Sequence, residues 1–185
     1  MNSKWITLGL VLAFSIITAG CTPKPSTESH VDPSLMVSKY IDLITPAAVA
    51  FARKSEREAL QHGVPLNMHQ LKIAQRAGVK NPRKVRLYYV DKFPLPADNR
   101  LKVAARRLAY TVPNMAASAY GYGIRLKKDQ KYNDSLLAHE LVHVRQAEQM
   151  GLWKHTREYL LQVFSYGYYA APMEEEAYDE ARKYL

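Results

Sequence analysis

The segment Ala138-His139-Glu140-Leu141-Val142-His143-Val144-Arg145 holds two histidines four residues apart, with a glutamate directly after the first. On a helix, residues four apart lie one above the other on the same face. His139 and His143 can therefore aim two imidazoles at one metal ion. Glu140 lies one step around, close enough to hold the metal's water without ligating the metal. Zinc accepts nitrogen and oxygen ligands, and its catalytic sites keep three protein ligands and one open position. Water at that position loses its proton near neutral pH, and a neighbouring carboxylate can carry the proton to a leaving group. Leu136, Leu137, Leu141, Val142 and Val144 make the surrounding helix largely apolar. A buried helix that carries two histidines and a glutamate needs partners for them.

The rest of the chain sets the context. Its 185 residues suffice for one domain with a real core, and 48% hydrophobic and 23% charged residues are ordinary for a globular protein. Residues 1–20 read as a lipoprotein signal peptide. Lys4 supplies a positive start, Trp5 to Ile17 an apolar run too short for a comfortable membrane span, and Thr18-Ala19-Gly20-Cys21 a small-residue stretch before a cysteine. That ending resembles the bacterial lipobox, with cleavage before Cys21 and lipidation of its thiol. Cys21 is the only cysteine, so neither an intramolecular disulfide nor a thiolate metal site is available. Residues 21–31 form the lipidated cysteine and a Pro/Ser/Thr-rich linker. The domain expected at 32–185 would sit in a bacterial cell envelope, lipid-anchored and facing the periplasm or exterior, on the outer membrane where there is one. A net charge of +9 favours anionic neighbours. Nucleic acid would match the charge but not the compartment.

Along the domain, Asp32-Pro33 reads as a helix cap followed by proline at the first helical position. Thr45-Pro46 repeats the device, so a kink or a fresh helix is expected there, ending at Gly63. Asn67 is expected to cap a short helix stopped by Gly78. Lys84 to Val90 reads as a strand. Asp98 would cap a helix through Ala109 that ends at Thr111 to Asn114. Ala119 to Leu126 reads as a second strand, whose glycines suit a bulge or the close approach of another backbone. Asn133 or Asp134 would cap the His139 helix, which ends before Gly151. Two more helices are expected at about Thr156–Tyr166 and Met173–Tyr184. The expected class is α+β, a mostly helical domain with a small sheet beside the His-Glu-x-x-His helix.

A third metal ligand is needed. The longer three-histidine pattern would place glycine and histidine where this chain has Gln146 and Gln149, which excludes that class. His155, close in sequence at the start of the next helix, is an alternative, whereas Glu148 projects away from the His139 face. The strongest candidate is the acidic run Pro172-Met173-Glu174-Glu175-Glu176-Ala177-Tyr178.

A His-Glu-x-x-His helix, a connecting helix, then a helix opening on Glu-x-x-Ala resembles the gluzincin metallopeptidases, in particular their small bacterial domains. The resemblance covers about residues 119 to 180. It implies a zincin-like fold, Zn2+ held by His139, His143 and Glu174, and Glu140 as general base. Glu175 and Glu176 stay open as alternative ligands. Where the family often has aspartate after the alanine, supporting a ligand histidine, this chain has Tyr178, and Asp179 is the substitute candidate. The resemblance also implies that the strand from Tyr120 to Leu126 pairs with an extended peptide substrate. It further implies an oxyanion-stabilising tyrosine or histidine, for which Tyr159, Tyr166, Tyr168 and Tyr169 are candidates. The function it implies is a membrane-tethered zinc-dependent hydrolase, a metallopeptidase acting on envelope peptides or proteins. The alternative is a zinc-stabilised binding or scaffold lipoprotein without turnover.

Overall fold

The computed structural model describes residues 32–107 and 115–184. Cys21, the signal segment and the expected helix end at 111–114 lie outside them. In chain order come helix α1 (Pro33–His62), strand β1 (Val64–Pro65), helix α2 (Met68–Arg76), strand β2 (Arg86–Val90), helix α3 (Asn99–Arg107), strands β3 (Ala117–Tyr120) and β4 (Gly123–Lys127), and helices α4 (Asp134–Met150), α5 (Leu152–Tyr166) and α6 (Pro172–Ala181). The fold is α+β, mostly helical with one small mixed sheet.

The helix starts follow the capping residues. Asp32 Oδ1 accepts from Ser34 N at 2.9 Å. Asn67 and Gln70 form a reciprocal capping box on α2. Asp98 Oδ1 accepts from Leu101 N at 3.0 Å and Asn133 Oδ1 from Leu136 N at 2.9 Å. At Thr45-Pro46, however, α1 neither breaks nor restarts. Pro46 denies the helix one hydrogen bond, a cost of about 3 kcal/mol in an unsupported helix interior. Packing offsets that cost. Ile41, Ile44, Ala48, Val49 and Ala52 are all buried around the proline, and each large apolar side chain contributes about 1.5–3 kcal/mol when fully buried. The Thr45 hydroxyl points back along the helix and donates to the Ile41 carbonyl at 2.7 Å. By length and composition Ser34–His62 could cross a membrane; here the inner face of this helix packs on α5 and the sheet.

The expected strand at Ala119–Leu126 is a hairpin. β3 and β4 pair antiparallel, with Ala119 opposite Ile124, and the chain reverses at Gly121-Tyr122. Gly121 has φ +56°, a backbone conformation that glycine adopts without steric cost. Gly123 serves the close approach. A Cβ there would meet the Ala59 Cβ at 2.7 Å and the Glu56 Cα at 3.1 Å, so α1 lies directly on the sheet. Glu56 also accepts from Tyr122 N at 2.9 Å, which fixes the turn to the helix.

The sheet order is β1-β2-β4-β3, with β2 and β4 parallel and the outer pairs antiparallel. Alternation on β4 divides its contacts between two faces. Ile124 and Leu126 join Leu87, Leu137, Leu141, Val142 and Val144 in one core beneath α4. Arg125 faces the other way, is 1% exposed, and pairs with Glu58 of α1 at 2.6 Å. A second core joins α1, α3 and α5 through Ile41, Ile44, Ala48, Leu101, Ala104 and Leu160. β3 is the outer strand beside α4.

Candidate metal centre

Helix α4 carries His139, Glu140 and His143 on a fully buried turn. Its two apolar flanks explain the burial: Leu137, Leu141 and Val144 enter the sheet core, and α6 packs on the other side. Helix α6 starts at Pro172, whose fixed φ suits the first helical position. Met173 and Ala177 are buried, so the helix turns Glu174 inward between them, and Glu174 is 1% exposed. The small side chain of Ala177 joins the core beneath α4.

The donor atoms converge. His139 Nε2 and His143 Nε2 are 3.2 Å apart. Glu174 Oε2 lies 3.2 Å from His139 Nε2, and Oε1 lies 3.6 Å from His143 Nε2. The three residues form a buried group, with one donor atom from each within 4.8 Å of the others, that could hold a metal ion. Two further observations fit such an ion. Glu174 Oε2 and Glu140 Oε2 are both buried without a hydrogen-bond partner. Buried oxygens of that kind are costly unless something else satisfies them.

The electrostatics point the same way. Burial alone would raise the Glu174 carboxyl, but contacts with His139, His143 and Tyr159 outweigh it and hold this group below the usual carboxylate range. Burial disfavours a charged His143, yet the neighbouring carboxylates of Glu174 and Glu140 keep its pKa above the ordinary value. Glu140 is raised, chiefly by burial, with His139 and His143 pulling it partly back.

The other candidates occupy different places. Glu175 is exposed. Glu176 is exposed and binds Arg145 and Gln146. Glu148 accepts from Lys80 N at 2.7 Å and from the Tyr122 hydroxyl at 2.9 Å, clamping α4 to the hairpin. His155 is buried on α5 with its ring 6.4 Å from that of His143, outside the three-residue group. Burial and the neighbouring His143 lower its pKa to about 4. Asp179 is exposed and pairs with Arg182, so it supports neither histidine.

Gln146 and Tyr178, to which the sequence assigns no supporting role, contact the two histidines. Gln146 Oε1 lies 2.8 Å from His143 Nδ1. Tyr178 lays its ring edge-on to His139, with centroids 4.6 Å apart. Of the four candidate tyrosines, Tyr159 donates to Glu174 Oε1 at 2.7 Å. Tyr168 is half-buried and hydrogen-bonds with Tyr178, and burial raises its pKa. Tyr166 and Tyr169 are exposed. Gln146 falls at the glycine place of the excluded three-histidine pattern, three residues after His143. That spacing is the one legible signal that it could reach the ring.

His139, Glu140, His143 and Glu174 all line one cavity of about 680 Å³. Tyr168 and Tyr178 also line it, as does the outer strand β3 through Ala117 and Ala119. No family model, curated protein or solved structure matches this chain.

Proposed function

We propose that the protein is a zinc-dependent hydrolase, a gluzincin-type metallopeptidase tethered through Cys21 to an envelope membrane and acting on peptides or proteins there. The observation that carries the proposal is the convergence of Glu174 with His139 and His143, while Glu140 lines the same cavity with a buried, unpartnered oxygen. Two imidazoles and a carboxylate are a donor set for Zn2+ with one position left open. When bound, the ion supplies Lewis acidity at the scissile carbonyl and makes water at its open position more acidic.

The chain's own residues do the rest. His139, His143 and Glu174 fix the site between α4 and α6. Glu140 takes a proton from the attacking water as its oxygen bonds to the carbonyl carbon. It then returns that proton to the amine nitrogen as the C–N bond breaks. The strand expected to pair with a substrate, Tyr120 to Leu126, lies mostly in β4 between β2 and β3; the edge strand β3, which lines the cavity, would offer main-chain partners to an extended substrate instead. A structural zinc site would close its fourth position with another protein ligand and would have no use for Glu140.

The test is Glu140→Gln. It should keep the zinc and abolish hydrolysis of a mixed peptide library, read by mass spectrometry. Equal cleavage by wild type and variant would remove Glu140 from the mechanism. A zinc-loaded wild type that cleaves nothing would favour the scaffold alternative.

A further inference from the structure

Positive charge is not spread evenly over this chain. Residues 59–90 contain six lysines and arginines and no aspartate or glutamate, whereas residues 32–185 as a whole contain twenty-four cations and sixteen acids. A fifth of the domain therefore holds six of its eight net positive charges. Elsewhere cations are matched: eight lysines and arginines, among them Lys54, Lys128 and Arg157, each pair with a carboxylate. Among the described residues, Lys72, Arg76, Lys80, Arg83 and Lys84 pair with none.

The fold gathers these five cations on the surface of one segment. Met68, Lys72 and Arg76 recur every fourth residue along α2 and form its exposed face, opposite the buried Ile73, Ala74 and Ala77. Gly78, with φ +84°, ends the helix. Val79 and Val85 then enter the core beneath α4 and pin the return loop, so Lys80, Arg83 and Lys84 stay exposed. Two acids of α4 reach this segment, and both are occupied. Asp134 pairs with His69 at 2.6 Å, and Glu148 accepts from the backbone N–H groups of Lys80 and Asn81. Apolar side chains share the surface: Val64 is 50% and Met68 71% exposed, and Pro65 is exposed beside them. None of residues 59–90 lines the cavity of the metal centre.

Unmatched cations attract polyanions of every kind. The apolar residues among them discriminate. A dissolved polyanion gains nothing from Val64, Pro65 and Met68, whereas a bilayer interface accepts apolar side chains at the level of its head groups. We propose that this face, from Val64 through Lys84, docks onto a membrane surface rich in anionic phospholipid. The cations meet phosphate groups while Val64 and Met68 enter among the head groups. Docking holds the domain by the sheet edge opposite β3, the strand that lines the cavity. The metal centre takes no part, so the proposal stands or falls separately from the peptidase reading.

The test is hydrogen–deuterium exchange of the full chain mixed with nanodiscs, either of phosphatidylcholine alone or with phosphatidylglycerol added. Exchange over residues 64–86 is read rather than binding itself, so attachment through the N-terminal segment does not register. These amides should slow on the anionic discs and not on the neutral ones. The protection should largely vanish in about 1 M salt, where charges are screened beyond about 3 Å. Each lysine or arginine near an anionic surface adds about fivefold to partitioning. The triple variant Lys72→Glu, Arg76→Glu and Lys80→Glu should therefore lose more than about a hundredfold and exchange as it does on neutral discs, with thermal melting verifying its fold. Reversing three exposed cations on other helices, Lys39→Glu, Arg106→Glu and Lys154→Glu, makes the same change in net charge and should leave the protection in place. Four results would each overturn the proposal: equal protection on both kinds of disc, none on either, equal loss in the two triple variants, or stronger protection by dissolved dextran sulfate than by anionic discs.

Discussion

Gln146 accepts a hydrogen bond from His143, with Oε1 2.8 Å from Nδ1. The orientation of the amide is set independently. Its nitrogen donates to the Met173 carbonyl at 3.0 Å and to Glu176 Oε2 at 2.6 Å, both of which can only accept. The oxygen must therefore face His143, so Nδ1 carries the proton and Nε2 turns its lone pair toward His139 and Glu174. One side chain thus fixes the tautomer of His143, a proposed metal ligand, and joins α4 to the start of α6.

Gln146→Leu should weaken zinc binding about tenfold to a hundredfold, the usual cost of losing a partner to a ligand histidine. Competition with a chromophoric chelator measures this. Unchanged affinity would show that His143 needs no such partner.

Zinc affinity should fall on acidification, and the fall should begin above pH 6.5. His143 holds its proton more tightly than an ordinary histidine, and ligation requires Nε2 without one. Each proton displaced costs about tenfold in affinity per pH unit below its pKa. Glu174, held low, stays ionised throughout and adds nothing to this slope. An affinity independent of pH down to about 5 would contradict the assignment of His143 as a ligand.

Tyr159→Phe should act on the metal before it acts on the reaction. Its hydroxyl donates to Glu174 Oε1, and losing that bond leaves a buried carboxylate less well satisfied. We expect several-fold weaker zinc retention, with kcat little changed once zinc is saturating. Tyr168→Phe should do the opposite if its hydroxyl serves the oxyanion: kcat falls while zinc content holds. Steady-state kinetics with parallel zinc analysis separates the two.

His155 should make the metal-free protein acid-sensitive. An unfolded chain protonates this imidazole near pH 6.5, but the folded chain resists until about pH 4. The unfolded state binds more protons in that window, so stability falls as the pH drops through it. The penalty is complete below about pH 4 and is on the order of 3 kcal/mol. Urea unfolding of wild type and His155→Phe at about pH 7 and 4.5 would show it. The variant should lose less stability between the two pH values; equal losses would contradict the account.

Much of this architecture was legible where local chemistry decides structure. Asp32, Asn67, Asp98 and Asn133 cap their helices as the sequence indicates. The spacing of His139 and His143 put two rings on one face, and Glu174 was singled out through a family resemblance. What stayed illegible depends on contacts distant in sequence. Pro46 sits inside α1 because burial overrides a local break. The pair Gly121-Tyr122 ends one strand and begins another because Glu56, 66 residues earlier, accepts from the turn. Asp179 looked suited to support a histidine, but α6 turns it outward to Arg182. Gln146 does that work instead, through partners on α6.

His139, His143 and Glu174 are proposed to bind one zinc ion. Zinc per chain, measured by elemental analysis of metal-replete full-length protein after gel filtration, tests it most directly. Wild type, Glu140→Gln and Glu175→Gln should each retain close to one zinc, and Glu174→Ala should lose most of it. Full zinc in Glu174→Ala, or none in wild type, would contradict the account.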